Sequence, residues 1–168
     1  LFLSAVTLIG SSGISMAEGE KTVQVYAAAQ SYGAFMAAPQ MLSVSENEAE
    51  KYGYTDLVDG VSALDVLVKE HEVIFGDEFT AESKGDYLYA DGYVSTIFGV
   101  PTSANGFLLN GGYPNDGTES AYGGYNGTTV FTQEVKDNDK LDFFIYQDNS
   151  NWSDKYTWLD CEVSENTL

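Results

Sequence analysis

A chain of 168 residues with 43% hydrophobic content is long enough for one domain with a substantial core. Seven lysines, no arginine and 26 acids give a formal net charge of −19. A surface of that sign repels phosphate backbones and anionic headgroups, so nucleic acid and membrane surfaces are poor partners, whereas solubility and an affinity for divalent cations such as calcium are favoured.

The opening segment, LFLSAVTLIGSSGISMA, is apolar and ends in Ser15-Met16-Ala17. Its small residues suit a signal-peptidase site, so residues 1–17 are read as a signal peptide and 18–159 as the mature domain. The basic segment usual in front of such a run is missing, which reads as a start inside the signal. A membrane anchor fits less well, because the apolar run is short and broken by Ser and Gly. Cys161 is the only cysteine, which leaves no internal disulfide and suits the outer face of a bacterial envelope. A secreted or cell-surface location is therefore expected.

Thr22 to Tyr26 alternates as a first strand with Val23 and Val25 inward. Ser31-Tyr32-Gly33 is a turn, and Phe35 to Val44 a returning strand that Pro39 confines to an edge or bulge. Ser45 and Glu48 have capping-box spacing for a short helix over 46–51 that stops before Gly53. The main helix is predicted over about 62–75. Ser62 caps it, Asp65 meets its first turn, Leu64, Leu67, Val68 and His71 share a face, and Gly76 stops it. His71, the sole histidine, is read as structural at the edge of that face.

Gly85 to Tyr89 and Gly92 to Phe98 are predicted strands, followed by a turn-rich stretch from Gly99 to Gly106. Phe107-Leu108-Leu109 is a buried strand ending at the Asn110-Gly111-Gly112 turn. Tyr113 to Gly127 is a long polar loop. Thr128 to Val135 is expected to pair as a hairpin, through the Asp137-Asn138-Asp139 turn, with Leu141 to Tyr146. Residues 160–168 read as a linker or the start of a further module.

The strand–strand–helix–strand–strand order suggests an α+β, β-grasp-like fold: a mixed or antiparallel sheet on one main helix, with long aromatic-rich loops. Four stretches carry a family resemblance: Val61 to Leu67, Gly92 to Ile97, Gly106 to Gly111 and Val135 to Phe143. In order and spacing they resemble the transcobalamin C-terminal-like domains, in the form found in exported surface proteins of Gram-positive bacteria. Asn138 stands where that family usually has glycine, and the segments Tyr113 to Gly127 and Tyr146 to Trp158 extend beyond its core. The resemblance implies a domain of largely unassigned function, with corrinoid (cobalamin) binding confined to a branch that carries a second, helical domain.

No residues are assigned to catalysis. There is no HExxH motif, no phosphate-binding glycine loop and no arginine clamp, and a Cys161–His71 pair would need an improbable convergence. The acids offer many carboxylate pairs for glycan hydrolysis without singling one out. For calcium, Asp148 and Asp154 are the first candidates, although the spacing is not that of an EF-hand. For recognition, Tyr113, Tyr122, Tyr125, Trp152, Tyr156 and Trp158 concentrate rigid aromatic surface with polar tips in two loop-like segments. The expected function is a non-enzymatic binding or adhesion module of a larger protein, taking an extracellular small molecule, glycan or protein. The alternatives are corrinoid capture and, behind it, a secreted glycan hydrolase.

Overall fold

The computed structural model describes residues 21–151 and 153–156. The segments read as a signal peptide (1–17) and as a linker or module start (160–168), together with Trp152 and Trp158, lie outside these residues, and so does Cys161. No helix among the described residues is long and apolar enough to cross a membrane.

Strands β1 (Thr22–Ser31) and β2 (Ala34–Ser45) form an antiparallel pair. They are joined at Tyr32-Gly33, both at positive φ. Val23 and Val25 point inward as their alternation predicts, and Ala27, Ala28 and Ala29 carry the buried strand onward. β2 is an edge strand, as its proline demands. Pro39 falls where the register slips between the Ala27–Gln40 and Ala29–Ala37 pairs, so its missing N–H lies in a bulge and not in the ladder.

Helix α1 (Ala63–Phe75) begins at the predicted cap. The Ser62 hydroxyl accepts the Asp65 N–H at 3.1 Å, and Asp65 Oδ2 accepts the Ser62 N–H at 2.7 Å. Leu64, Leu67, Val68 and His71 are all buried on its inner face. The short helix α2 (Lys84–Tyr87) leads into β3 (Tyr89–Asp91), β4 (Tyr93–Ile97) and β5 (Val100–Pro101), a small antiparallel sheet. Next come β6 (Asn105–Leu109), a hairpin of β7 (Asn115–Glu119) and β8 (Tyr125–Gly127), and finally β9 (Lys140–Ile145).

The main sheet has the order β2-β1-β9-β6, with β9 parallel to β1 and antiparallel to β6. The α+β expectation therefore holds, with a mixed sheet and one main helix. Leu141, Phe143 and Ile145 of β9 join the core with α1, and alternation sends Asp142 and Phe144 to the other face.

Several local expectations are corrected. The helix expected over 46–51 is a 3-10 turn at Ala49–Tyr52 without a side-chain cap. Glu48 is instead buried and ion-paired with Lys51 at 2.6 Å and Lys69 at 3.7 Å. Gly85 to Tyr87 is helical, because the Thr80 and Ser83 side chains bond each other's backbone N–H groups and start a turn just ahead of it. β4 stops at Ile97, and Phe98-Gly99 form a two-residue turn at positive φ. The loop from Tyr113 to Gly127 contains the β7–β8 hairpin. Asp137-Asn138-Asp139 is a turn, as expected, but it does not close a hairpin. Thr128 to Val135 runs beside the start of α1, with Val130 O accepting the Leu64 N–H, and β9 pairs with β1 and β6.

Candidate functional site

The site is built where the small sheet meets the edge of the main one. β4 alternates, so Val94 turns into the core while Tyr93 stands out, 70% exposed. Opposite lies β6, the outer strand of the main sheet, held at this distance by Asn105 Nδ2 donating to Val94 O at 2.6 Å. Tyr113 and Pro114 enter from the foot of the β7–β8 hairpin, and Thr128 to Phe131 supply the floor. That floor is fixed from two sides, by the Leu64 N–H bond to Val130 O at 2.9 Å and by Thr128 Oγ1 donating to Gln133 Oε1 at 2.6 Å. Tyr146, just past β9, closes the wall, its hydroxyl 3.2 Å from that of Tyr113.

The open cavity between these walls measures about 380 Å³. A second, of about 610 Å³, adjoins it at Gly92, Thr129 and Phe131, and the two together are termed the trough. Tyr54, Leu88 and Tyr89 line the second part, and Asp56, Glu82 and Asp91 stand among them. Lys84 also lies there, but its ammonium donates to the Tyr52 carbonyl and sits 4.2 Å above the Tyr54 ring centroid.

The aromatic residues singled out in the sequence separate into three environments. Tyr113 lines the trough and is 62% exposed. Tyr122 and Tyr125 sit on the hairpin away from it, Tyr122 being 100% exposed at the tip. Tyr156 packs against the back of the sheet. Its ring stacks on Phe144 at 4.0 Å, and its hydroxyl donates to Asp154 Oδ2 at 2.8 Å and lies 2.9 Å from Ile145 O. Trp152 and Trp158 lie outside the described residues. Tyr93, Tyr146, Val130 and Phe131 escaped the sequence reading. The signal for Tyr93 was present, since an aromatic out of phase with Val94, directly after Gly92, points to solvent.

Asp148 and Asp154 act as turn acceptors. Asp148 Oδ1 accepts the N–H groups of Ser150 and Asn151, and its Oδ2 the Ser153 hydroxyl; that hydroxyl, first among these bonds, holds the carboxyl below its usual range. Asp154 Oδ2 accepts the N–H groups of Gln147 and Asp148, and the Asp148 bond does most to lower it. Among the described residues no three His, Cys, Asp or Glu side chains converge on a cation site.

His71 is fully engaged. Its Nδ1 lies 2.7 Å from Leu67 O and its Nε2 accepts the Phe98 N–H at 3.0 Å, which fixes the neutral tautomer. Burial pushes its pKa down to about 4, and the ring stacks on Phe98 at 4.0 Å. Glu70 is a second buried titratable group of α1, besides the capping Asp65. Neither carboxyl oxygen has a hydrogen-bond partner among the described residues, and burial, then the Asp142 carboxylate, pushes it well above the usual range. Neither residue lines the trough.

No protein-family model matches the chain, and no curated protein matches it in sequence.

Proposed function

We propose that this protein is a non-enzymatic binding module of β-grasp type, exported to the cell surface or beyond, that holds an extracellular ligand in the tyrosine-walled trough. The β-grasp reading draws on the sheet order β2-β1-β9-β6, its parallel central pair and the single main helix across it. Together with the four stretches that resemble theirs, that order supports kinship with the transcobalamin C-terminal-like domains. The observation that carries the binding reading is the pair Tyr93 and Tyr113. Both rings are largely exposed at a cavity mouth, and neither stacks on another ring among the described residues. Large rigid rings left unpaired beside a preformed cavity are contact surface in waiting. His71 supports the non-enzymatic part, since both of its ring nitrogens are occupied and it lies away from the trough.

Calorimetry with a panel of saccharides, short peptides and cobalamin tests the proposal. Binding of any one of them that is lost in Tyr93→Ala and Tyr113→Ala supports it. Silence across the panel, or binding indifferent to both substitutions, contradicts it. The cobalamin arm also decides whether the corrinoid role of the family's carrier branch extends to this chain.

A further inference from the structure

The charge around the smaller cavity differs sharply from that of the molecule. Of 168 residues, 26 are acidic and seven basic, yet none of the residues lining the smaller cavity is charged. Its walls are tyrosine rings and apolar side chains, and its polar groups belong to Asn105, Thr128, Thr129 and the tyrosine hydroxyls. An ionic ligand would find no counter-charge there and would be desolvated without compensation. The adjoining cavity refuses anions in a different way. Asp56, Glu82 and Asp91 face it, and the one lysine among its lining residues already points at the Tyr52 carbonyl and the Tyr54 ring.

From this, and resting on the binding reading above, we propose that the trough takes an uncharged oligosaccharide. A pyranose ring has two chemically different aspects. Its axial C–H faces are apolar and pack flat on an aromatic ring, while its equatorial hydroxyls donate and accept hydrogen bonds around the rim. The smaller cavity offers both: the exposed rings of Tyr93 and Tyr113 for the faces, and threonine, asparagine and phenol groups for the hydroxyls. Because the two cavities share Gly92, Thr129 and Phe131, the ligand continues past one sugar unit. In the second cavity the Asp56 and Asp91 carboxylates accept hydroxyl hydrogen bonds and repel uronate or sialate groups. The volume of about 380 Å³ lies within the range of small-ligand sites, roughly 300–1,000 Å³.

The test is isothermal titration of the full chain with three probe sets. Cello-, malto- and N-acetylglucosamine hexasaccharides are the neutral probes, oligogalacturonate and sialyllactose the anionic ones, and chitosan oligomers with a Tyr/Leu-rich peptide complete the set. At least one neutral hexasaccharide is expected to bind, with an affinity unchanged between low and high salt, while the anionic probes give no heat. Tyr93→Ala and Tyr113→Ala are each expected to weaken it by about tenfold or more, and Tyr122→Ala, away from the trough, to leave it unchanged. Tyr93 and Tyr113 are surface residues, so unchanged melting temperatures separate lost binding from lost folding. If only a charged probe or the peptide binds, and does so through Tyr93 and Tyr113, the saccharide assignment is overturned while the binding reading stands. If no probe binds, both fall.

Discussion

Asn110 occupies a conformation that most side chains avoid, at φ 52°, and its own amide helps hold it there. Its Oδ1 accepts the Lys140 N–H at 2.9 Å and its Nδ2 donates to Asp139 Oδ1 at 2.8 Å, joining the end of β6 to the start of β9. Asn110→Ala keeps the strained φ and loses both bonds, an expected cost of about 2 kcal/mol in urea unfolding; under ~0.5 kcal/mol would refute this role. Two of the buried titratable groups of α1, His71 and Glu70, act in opposite directions on stability. His71 binds its proton less tightly folded, at about 4 against 6.5 unfolded, so its contribution of about 3 kcal/mol is present above 6.5 and lost as pH falls toward 4. Glu70 is raised, so above the ordinary 4.5 the native state holds a proton that the unfolded chain releases, and stability falls as pH rises. Asp142, raised mainly by burial, adds to that slope. Above 4.5 the Glu70 slope opposes that of His71, whose own slope ends at 6.5. Glu70→Leu should therefore raise stability above the ordinary carboxylate range by about 2 kcal/mol and flatten its decline with pH. An unchanged pH–stability curve would show that Glu70 is already neutralised by another route.

Helix α1 was legible because every signal for it is local: a cap, an acid three residues on, an apolar face and a terminal glycine. Asp65 does more than its spacing reveals. Besides capping with Ser62, its Oδ1 accepts the Ala49 N–H at 2.8 Å, tying the helix to the 3-10 turn before it. Ser62→Ala is thus expected to cost about 1 kcal/mol and Asp65→Ala about 3 kcal/mol, since the second orphans buried donors at both elements. Equal costs in denaturant unfolding would refute the second tie. β9 was read only in part. Its apolar residues mark a buried strand, but parallel pairing with β1 joins residues more than a hundred positions apart, and no local pattern encodes that register. The aromatic segments 113–127 and 148–158 invited a single functional reading for the same reason. Composition marks tyrosines as contact residues, yet only the tertiary arrangement sends Tyr113 to the trough, Tyr122 to a hairpin tip and Tyr156 beneath the sheet.

Across the molecule, a net charge of −19 surrounds an uncharged, aromatic-walled cavity. On the proposed function, such a surface would turn away anionic partners and leave recognition to shape, ring stacking and hydroxyl hydrogen bonds. The rigid parts serve that arrangement: β4 and β6 form the sides, the chain beside α1 fixes the floor, and the hairpin foot brings in Tyr113. The most direct measurement is a titration of tyrosine-labelled protein with the neutral hexasaccharides, followed by nuclear magnetic resonance of the ring signals. The account predicts saturable shifts at Tyr93, Tyr113 and Tyr146, with Tyr122 and Tyr156 unmoved. Shifts confined to Tyr122 and Tyr125, or none at any ring, would contradict it.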